Sequence, residues 1–572
     1  PEDLTKAIQL SERILELRED IEKLEEERRI LEAELSRVEP FGDFSMTDIE
    51  YIEKNSGRIF QFFCIKSSLS EKVFSYPEVF YLQSEYGLDY FVAVTKERAH
   101  YPGMIEMRID SPLGEIEQRL RFIKETLINF EKELKEYAGY TQFLKNTLIE
   151  EVNKENLALA KKEVVYPLKN ALFFIEAWVP ENKVAELFLL AENKAIHIER
   201  VKVEKSEKVP TYLENKNLGL IGEDLIKIYD VPSTKDKDPS LWVFWFFILF
   251  FSIIVGDAGY GLLFLGAAFY LKKKNRELKG SLKRLLKLFF ALSYSCIVWG
   301  VLACSYFGLK IGPESFFSEI SPLHYLAKKK AEFHFDRKDG VYDYWIHEFP
   351  RLENATNASQ FLSEAVTVKS GFTTHKMLEE FTGNVLLEFS LLLGVVHLTL
   401  SFLRNLRRHF AGLGWIFFMI GGYLAFPSIV GATSVINFMG ILPSSQAEAV
   451  GLQLIYGGLG SAVILAILQK RLKGIGEIAH LIQVFADVLS YLRLYALSLA
   501  AAILAGTFNQ EGGALFPALG ALVILLGHCV NMGISFISGI IHGLRLNFLE
   551  WYHYCFEGGG KLFKPLKKLE KE

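Results

Sequence analysis

From position 241 onward the chain is composed for a solvent other than water. Residues 241–271 are almost uncharged and rich in aromatics, and further apolar stretches follow at about 285–308, 385–403, 413–435, 450–469, 480–507 and 516–545. A bilayer interior offers no water to exposed peptide groups, so such stretches persist there only as helices, each span needing about 20 residues. A single water-soluble domain is therefore excluded, and the 23% charged residues are an average over two unlike parts, 1–240 and 241–572. The formal charge of -5 gives no reason to expect nucleic acid as a partner. Five cysteines without a CxxC spacing indicate neither a zinc site nor a disulfide framework, and no cofactor or metal is expected.

Charge placement sets the expected topology. Basic clusters follow alternate apolar runs: Lys272, Lys273, Lys274, Arg276, Lys279, Lys283, Arg284 and Lys287; then Arg404, Arg407 and Arg408; then Lys470, Arg471 and Lys473; then Lys561, Lys564, Lys567 and Lys568. Excess Lys and Arg marks the cytoplasmic side, so all four clusters share one side if each intervening run crosses once. Run 241–271 is too long for one span and short for two. If the amino terminus is also cytoplasmic, this run enters and returns through a far-side turn at Gly256-Asp257-Ala258-Gly259-Tyr260-Gly261. The expectation is a polytopic α-helical membrane protein of eight spans with both termini cytoplasmic and 309–382 as a loop over the far face. Seven spans would set one end of the chain against its charge pattern.

The soluble part opens without an apolar signal segment. Leu10, Ile14, Leu17, Ile21, Leu24, Leu31 and Leu35 alternate three- and four-residue steps, with Arg28 interrupting the seam; Ile116, Leu120, Ile123, Leu127, Phe130, Leu134 and Tyr137 repeat the pattern after Ser111-Pro112. Two such strands predict an antiparallel coiled-coil hairpin, although the same spacing also serves ordinary helix cores. Runs 59–65 and 90–94 predict strands of a small α/β knob between the helices. Runs 172–179 and 195–203 predict further strands, and 207–240 reads as coil.

The residues that point to function are charges at membrane depth. Asp487 and Arg493 lie six positions apart within 480–506, about 120° apart around a helix, so one need not neutralise the other. An arginine midway through a span is costly and marks a polar cavity or ion path unless it snorkels to the interface. In the final run, Ser535, Ser538, His542 and Arg545 follow three- or four-residue steps as one polar stripe, with His528 and Asn531 before them and Glu550 beyond. Arg545 is near enough to the end to snorkel. Asp257 either lines an ion path or caps two short helices, and His397 reads as a packed histidine bonding another helix.

At Ser490-Tyr491-Leu492-Arg493-Leu494-Tyr495-Ala496-Leu497-Ser498-Leu499-Ala500 the sequence resembles the large membrane subunit of V-type and A-type rotary ATPases, called subunit a or subunit I. Four further segments occur in that family's order: Trp178-Val179-Pro180; the 256–261 turn; Gly394-Val395-Val396-His397-Leu398; and His542-Gly543-Leu544-Arg545-Leu546 with Glu550 and a Phe556-Glu557-Gly558-Gly559-Gly560 tail. The resemblance implies a bacterial plasma-membrane stator, with an amino-terminal segment missing before the first coil. Arg493 would match the family's ion-translocating arginine, with Arg545, His542, Glu550, Asp487, Ser535 and Asp257 along two half-channels. The implied partners are a rotating ring of membrane subunits bearing ion-binding carboxylates, peripheral-stalk subunits, central-stalk subunits and the lipid bilayer. Ala501 and Ser535 depart from the family pattern, standing where relatives carry a histidine and often a glutamate, which leaves proton and sodium coupling both open. No GxxxxGK[ST] loop is present, so ATP hydrolysis falls to partners. The rival reading is a secondary transporter with a regulatory coiled coil.

Overall fold

The computed structural model describes residues 2–166, 172–194, 196–204, 206–275, 278–369 and 372–570. Arg276 and Ala195 lie outside the described residues. The chain divides into two compact units, Pro1–Ala177 with Pro565–Glu572, and Trp178–Lys564.

In the first unit, helix Glu2–Val38 runs beside helix Leu113–Tyr137. The pairs Arg13–Glu133 (3.1 Å), Arg119–Glu27 (2.8 Å) and Lys124–Glu32 (3.4 Å) set them antiparallel. These exposed pairs contribute little by themselves; Leu17, Ile116, Leu120, Ile123 and Leu127, buried along the seam, provide most of the cohesion. After a short turn, a third helix, Thr141–Lys162, follows the second. Four strands, β1 Ile59–Lys66, β2 Val79–Glu85, β3 Leu88–Thr95 and β4 Ile105–Met107, form a sheet of order β2-β3-β1-β4. Its register pairs Ile59 with Thr95 and Lys66 with Leu88. Alternation sends Cys64 and Tyr90 into one cluster with Val38 and Ile116, and Phe63 and Phe91 into another with Tyr101, so both faces are covered.

Two sequence expectations for 172–240 are corrected. Runs 172–179 and 195–203 form no ladder among the described residues: a single bridge joins Val165 to Phe174, and helix Val184–Lys194 lies between the runs. Alternating apolar residues make a strand only beside another strand, and here Phe173, Ile175, Val201 and Val203 are exposed. Within 207–240, helix Leu218–Ile226 buries Ile221, Leu225 and Ile226, so that stretch is not simply coil.

In the second unit, six helices among the described residues are long and apolar enough to cross a membrane: Gly280–Leu302, Lys376–Arg404, Gly412–Ile429, Ser444–Gln469, Gly476–Gly513 and Pro517–Cys555. A shorter apolar helix, Ser240–Val255, precedes them, followed by helix Ala258–Lys274, whose last turn is basic. The chain breaks between these two at Gly256, whose φ of 64° suits glycine, and at Asp257, whose carboxylate caps the second helix by accepting from the Tyr260 amide at 3.1 Å. Helix Gly280–Leu302 runs alongside the first, where Ser295 donates to the Ile248 carbonyl, and returns antiparallel to the second, where Gly300 lies against the Ala258 backbone and Gly261 against Ile297. A methyl group at Gly300 would sit 2.1 Å from the Ala258 nitrogen, so this crossing depends on its glycine.

Lipid is as apolar as leucine, so these helices associate by packing and internal polar bonds rather than by the hydrophobic effect. Phe250, Ile253, Leu398, Trp415, Tyr491, Leu494 and Leu546 form their shared core. Residues 309–382 are more than a loop: helices Pro322–Arg337, Gly340–Glu348 and Ala358–Glu364 close over Ala331, Trp345, Leu352, Phe361 and Phe381. Burial there, followed by the charge of Lys328, lowers the His324 imidazole to about 4, and Ser318 shares a 2.9 Å bond with its Nδ1.

Candidate functional site

The two longest apolar segments, Gly476–Gly513 (38 residues) and Pro517–Cys555 (39 residues), carry Asp487, Arg493, Arg545 and Glu550. Neither is a uniform α-helix. The first passes from helix His480–Ser490 through Tyr491 to helix Leu492–Gly513. The second runs as α-helix to Arg545, then widens into a π turn over Leu546–Trp551.

That π turn builds the site. Residues five apart on an α-helix point about 140° apart, whereas the wider i→i+5 turn brings Glu550 back toward Arg545. Glu550 Oε1 lies 3.8 Å from Arg545 Nε and 3.7 Å from Arg493 Nη1, and accepts a 2.7 Å bond from the Ser490 hydroxyl. One carboxylate thus faces two guanidinium groups from different helices, leaving a net positive charge. The Glu550 side chain is 5% exposed, Arg493 24% and Arg545 47%.

The pairing is incomplete. At 3.7 Å the Arg493–Glu550 contact is an ion pair without a close hydrogen bond. Arg493 reaches Ser490 Oγ only at 3.4 Å through Nη2, while buried Arg493 Nη1, Glu550 Oε2 and His542 Nδ1 have no hydrogen-bond partner among the described residues. His542 precedes Arg545 by three residues on the same helix, so both belong to this neighbourhood. The arrangement can hold a guanidinium at depth with unspent donors, able to favour an anionic group presented to it.

Asp487, six residues before Arg493, is engaged elsewhere. It accepts from Gln483 Nε2 at 2.9 Å and from the Tyr554 hydroxyl at 2.5 Å. Ser535 is buried about 15 Å along the helix from Arg545. Asp257 belongs to a separate cluster, accepting from the Ser305 hydroxyl at 3.1 Å and the Gly308 amide at 3.4 Å besides its own helix cap. Within that cluster Asn531 donates to Tyr260 at 3.0 Å and to the Ala501 carbonyl at 2.9 Å. The Tyr260 hydroxyl meets His528 Nδ1 at 2.7 Å, His528 Nε2 meets Asn509 Oδ1 at 2.9 Å, and Asn509 donates to the Phe307 carbonyl at 2.7 Å. Donors and acceptors alternate along this chain when His528 carries its proton on Nε2.

His397 packs as a buried helix-to-helix bridge: its Nδ1 bonds the Tyr491 hydroxyl at 2.6 Å and its ring stacks on Trp551. The sequence reading missed Glu388, buried in helix Lys376–Arg404, which accepts from the Tyr423 hydroxyl at 3.0 Å, the Val435 amide at 2.8 Å and the Ser434 hydroxyl. An acid inside an apolar run was the available signal. It also missed Tyr554 and Asn509, whose side chains look unexceptional until the fold places them.

Residues 100–319 match the V-type ATPase 116kDa subunit family. The chain is similar to V-type ATP synthase subunit I of Chlamydia pneumoniae, 39% identical over 561 residues, covering 97% of this chain and 85% of the relative. It is also similar to V-type ATP synthase subunit I of Borreliella burgdorferi, 24% identical over 99% of this chain and 88% of that protein. A-type ATP synthase subunit I of Methanocaldococcus jannaschii is 28% identical over 69% of this chain and 55% of its own length.

Proposed function

The chain belongs to the V-type ATPase 116kDa subunit family, and on that premise we propose that Arg493 is the fixed charge past which the ring's ion-binding carboxylates move. It is a multi-pass membrane subunit of a V/A-type rotary ATPase involved in ion translocation, itself non-catalytic toward nucleotide. The carrying observation is the incompletely bonded Arg493 guanidinium, held at depth by Glu550 and Ser490. A permanently charged fork favours the ionised form of a passing carboxylate and opposes direct leakage of cations. Two polar routes then serve as half-channels. Asp487, Glu550, His542 and Arg545 line the one toward the basic clusters; Asp257, with Tyr260, His528 and Asn531, lines the other, and Ser535 lies along the final span between them.

In this reading the two short helices before Lys274 cross as a pair, giving eight spans with both termini on the basic, cytoplasmic side. Residues 1–240 act as a stator arm, with the antiparallel helices as a coiled-coil hairpin. Regions 41–100 and 180–204 meet peripheral-stalk proteins, and the central stalk and ring complete the partners. The test is ATP-driven pumping by the intact complex in vesicles, comparing the parent with Arg493→Ala after confirming equal assembly. Loss of pumping by about tenfold or more is expected; full pumping would return Arg493 to a structural or snorkelling role.

A further inference from the structure

Widening an α-helix by one residue swings every side chain beyond it through about 100° and disturbs the i→i+4 bonding of the carbonyls around the insertion. Such a turn is steadied when other donors reach those carbonyls. At Leu546–Trp551 the donors come from two places. Asn547, fully buried, bonds its side-chain Nδ2 back to the Gly543 carbonyl at 2.9 Å, while its own carbonyl accepts the Tyr552 amide five residues on. From helix Lys376–Arg404 the equally buried Ser401 donates to the Trp551 carbonyl at 2.6 Å, and Asn405, just past that helix, donates to the Tyr554 carbonyl at 2.8 Å. Asn547 Oδ1 has no hydrogen-bond partner among the described residues, so the place of this amide in an apolar setting rests on its bond to Gly543. A side chain that bonds four residues back competes with the backbone for a helical carbonyl and favours such a departure from α geometry.

We propose that Asn547 and Ser401 are positioning residues for ion translocation, locking the π turn so that Glu550 stays opposite Arg493 and Arg545. The inference rests on the ion-translocating reading above and adds what sets the charge balance at Arg493. Both residues act through the backbone, bonding carbonyls of the turn and its approach. In an unwidened helix Glu550 would point about 140° away from Arg545. Arg493 would then lose the counter-charge that now lies 3.7 Å away. A passing carboxylate would meet two uncompensated guanidinium groups instead of a single net charge, and would be held rather than released.

The experiment uses the intact complex in vesicles, reading ATP hydrolysis beside ATP-driven uptake, the latter with a pH-sensitive dye and with labelled sodium in parallel. Asn547→Leu keeps the bulk and removes the donor; hydrolysis and uptake are expected to fall together about tenfold, because the ring is held rather than released. Asn547→Ser, which can still bond four residues back, should recover to within about threefold of the parent. Ser401→Ala attacks the turn from the other helix and should slow both rates about threefold. In a double-mutant cycle, Asn547→Leu added to Glu550→Gln should cost less than about twofold more, since the carboxylate that it positions is already neutral. Uptake by Asn547→Leu within about twofold of the parent overturns the proposal, as do fully multiplicative losses in the cycle, and so does hydrolysis that persists while uptake fails. If Asn547→Leu does not assemble, Ser401→Ala and its cycle against Glu550→Gln decide on the same criteria. An Arg493→Ala complex that pumps fully would remove the ion-translocating reading itself, whereas multiplicative losses beside an inactive Arg493→Ala complex would remove the positioning role alone.

Discussion

The two polar clusters of the membrane unit are built on opposite principles. Around Arg493, formal charges are gathered but poorly hydrogen-bonded: one carboxylate faces two arginines at 3.7 and 3.8 Å, and donors and acceptors remain unspent. Around Tyr260, the bonds between neutral groups are short, running from Asn531 through Tyr260 and His528 to Asn509 at 2.7–3.0 Å. A network with few unmet bonds is rigid and gains from low dielectric; a charged network with unmet bonds is costly and remains responsive to what approaches it. Under the proposed function, the first cluster would sense ring charge and the second would shape a path.

Removing the shared carboxylate is the harshest test of that contrast. Glu550→Ala leaves Arg493 and Arg545 facing each other without their common counter-charge, and breaking a buried ion pair costs about 3 kcal/mol or more. The long distances place this case at the lower end. The loss should appear as a lower unfolding temperature of the purified complex, with Glu550→Gln intermediate because it keeps the Ser490 bond and drops the charge. A variant as stable as the parent would mean that the arginines are neutralised by solvent or lipid, and the contrast between the clusters would collapse.

The sequence exposed the members of the charged cluster more readily than their meeting. Arg493 stands out because charge at depth is rare, and Arg545 and His542 share a helical stripe with Ser535. Ideal periodicity places Glu550 away from Arg545; only the π turn at Leu546–Trp551 brings it back, and no residue type announces such a turn. The neutral cluster was less legible, since Asp257 and its glycines suggested a break but not that Tyr260 would cross to His528 and Asn531. Patterns failed where partners decide. Runs 172–179 and 195–203 alternate like strands without finding neighbours, and helix Leu218–Ile226 was obscured by two glycines and flanking prolines. The seams at 10–35 and 116–137 were read from spacing alone because helical side chains three and four apart share a face.

A smaller disturbance, from the packing behind the neutral cluster, sharpens the comparison. A Cβ at Gly259 would come within 2.4 Å of the Phe307 ring, and Phe307 packs against Tyr260 at 5.7 Å. Gly259→Val should therefore cost about 2 kcal/mol through overpacking, seen as faster proteolysis and weaker assembly. Gly266 is the control from the same helix, because a Cβ there meets nothing within 4 Å. Gly266→Ala should be neutral or stabilising by about 0.5–1 kcal/mol from helix propensity. Equal protease resistance in Gly259→Val and parent would show that Phe307 yields freely and that the turn is not under constraint.

The mildest change separates the clusters by what a single oxygen does. Tyr260→Phe preserves the buried ring between Phe264 and Phe307 but removes the atom that joins Asn531 to His528. Asn531 keeps its bond to the Ala501 carbonyl and His528 its bond to Asn509, so each stranded group loses one partner rather than all. The expected stability cost is about 1 kcal/mol, the low end for unsatisfied buried polar groups. Adding Asn531→Leu removes one stranded group and should cost less than the sum of the two single changes if they act through this shared bond. Strict additivity in that double-mutant cycle would mean that Tyr260 and Asn531 stabilise the fold independently, and the neutral chain would no longer count as a network to set against the charged one.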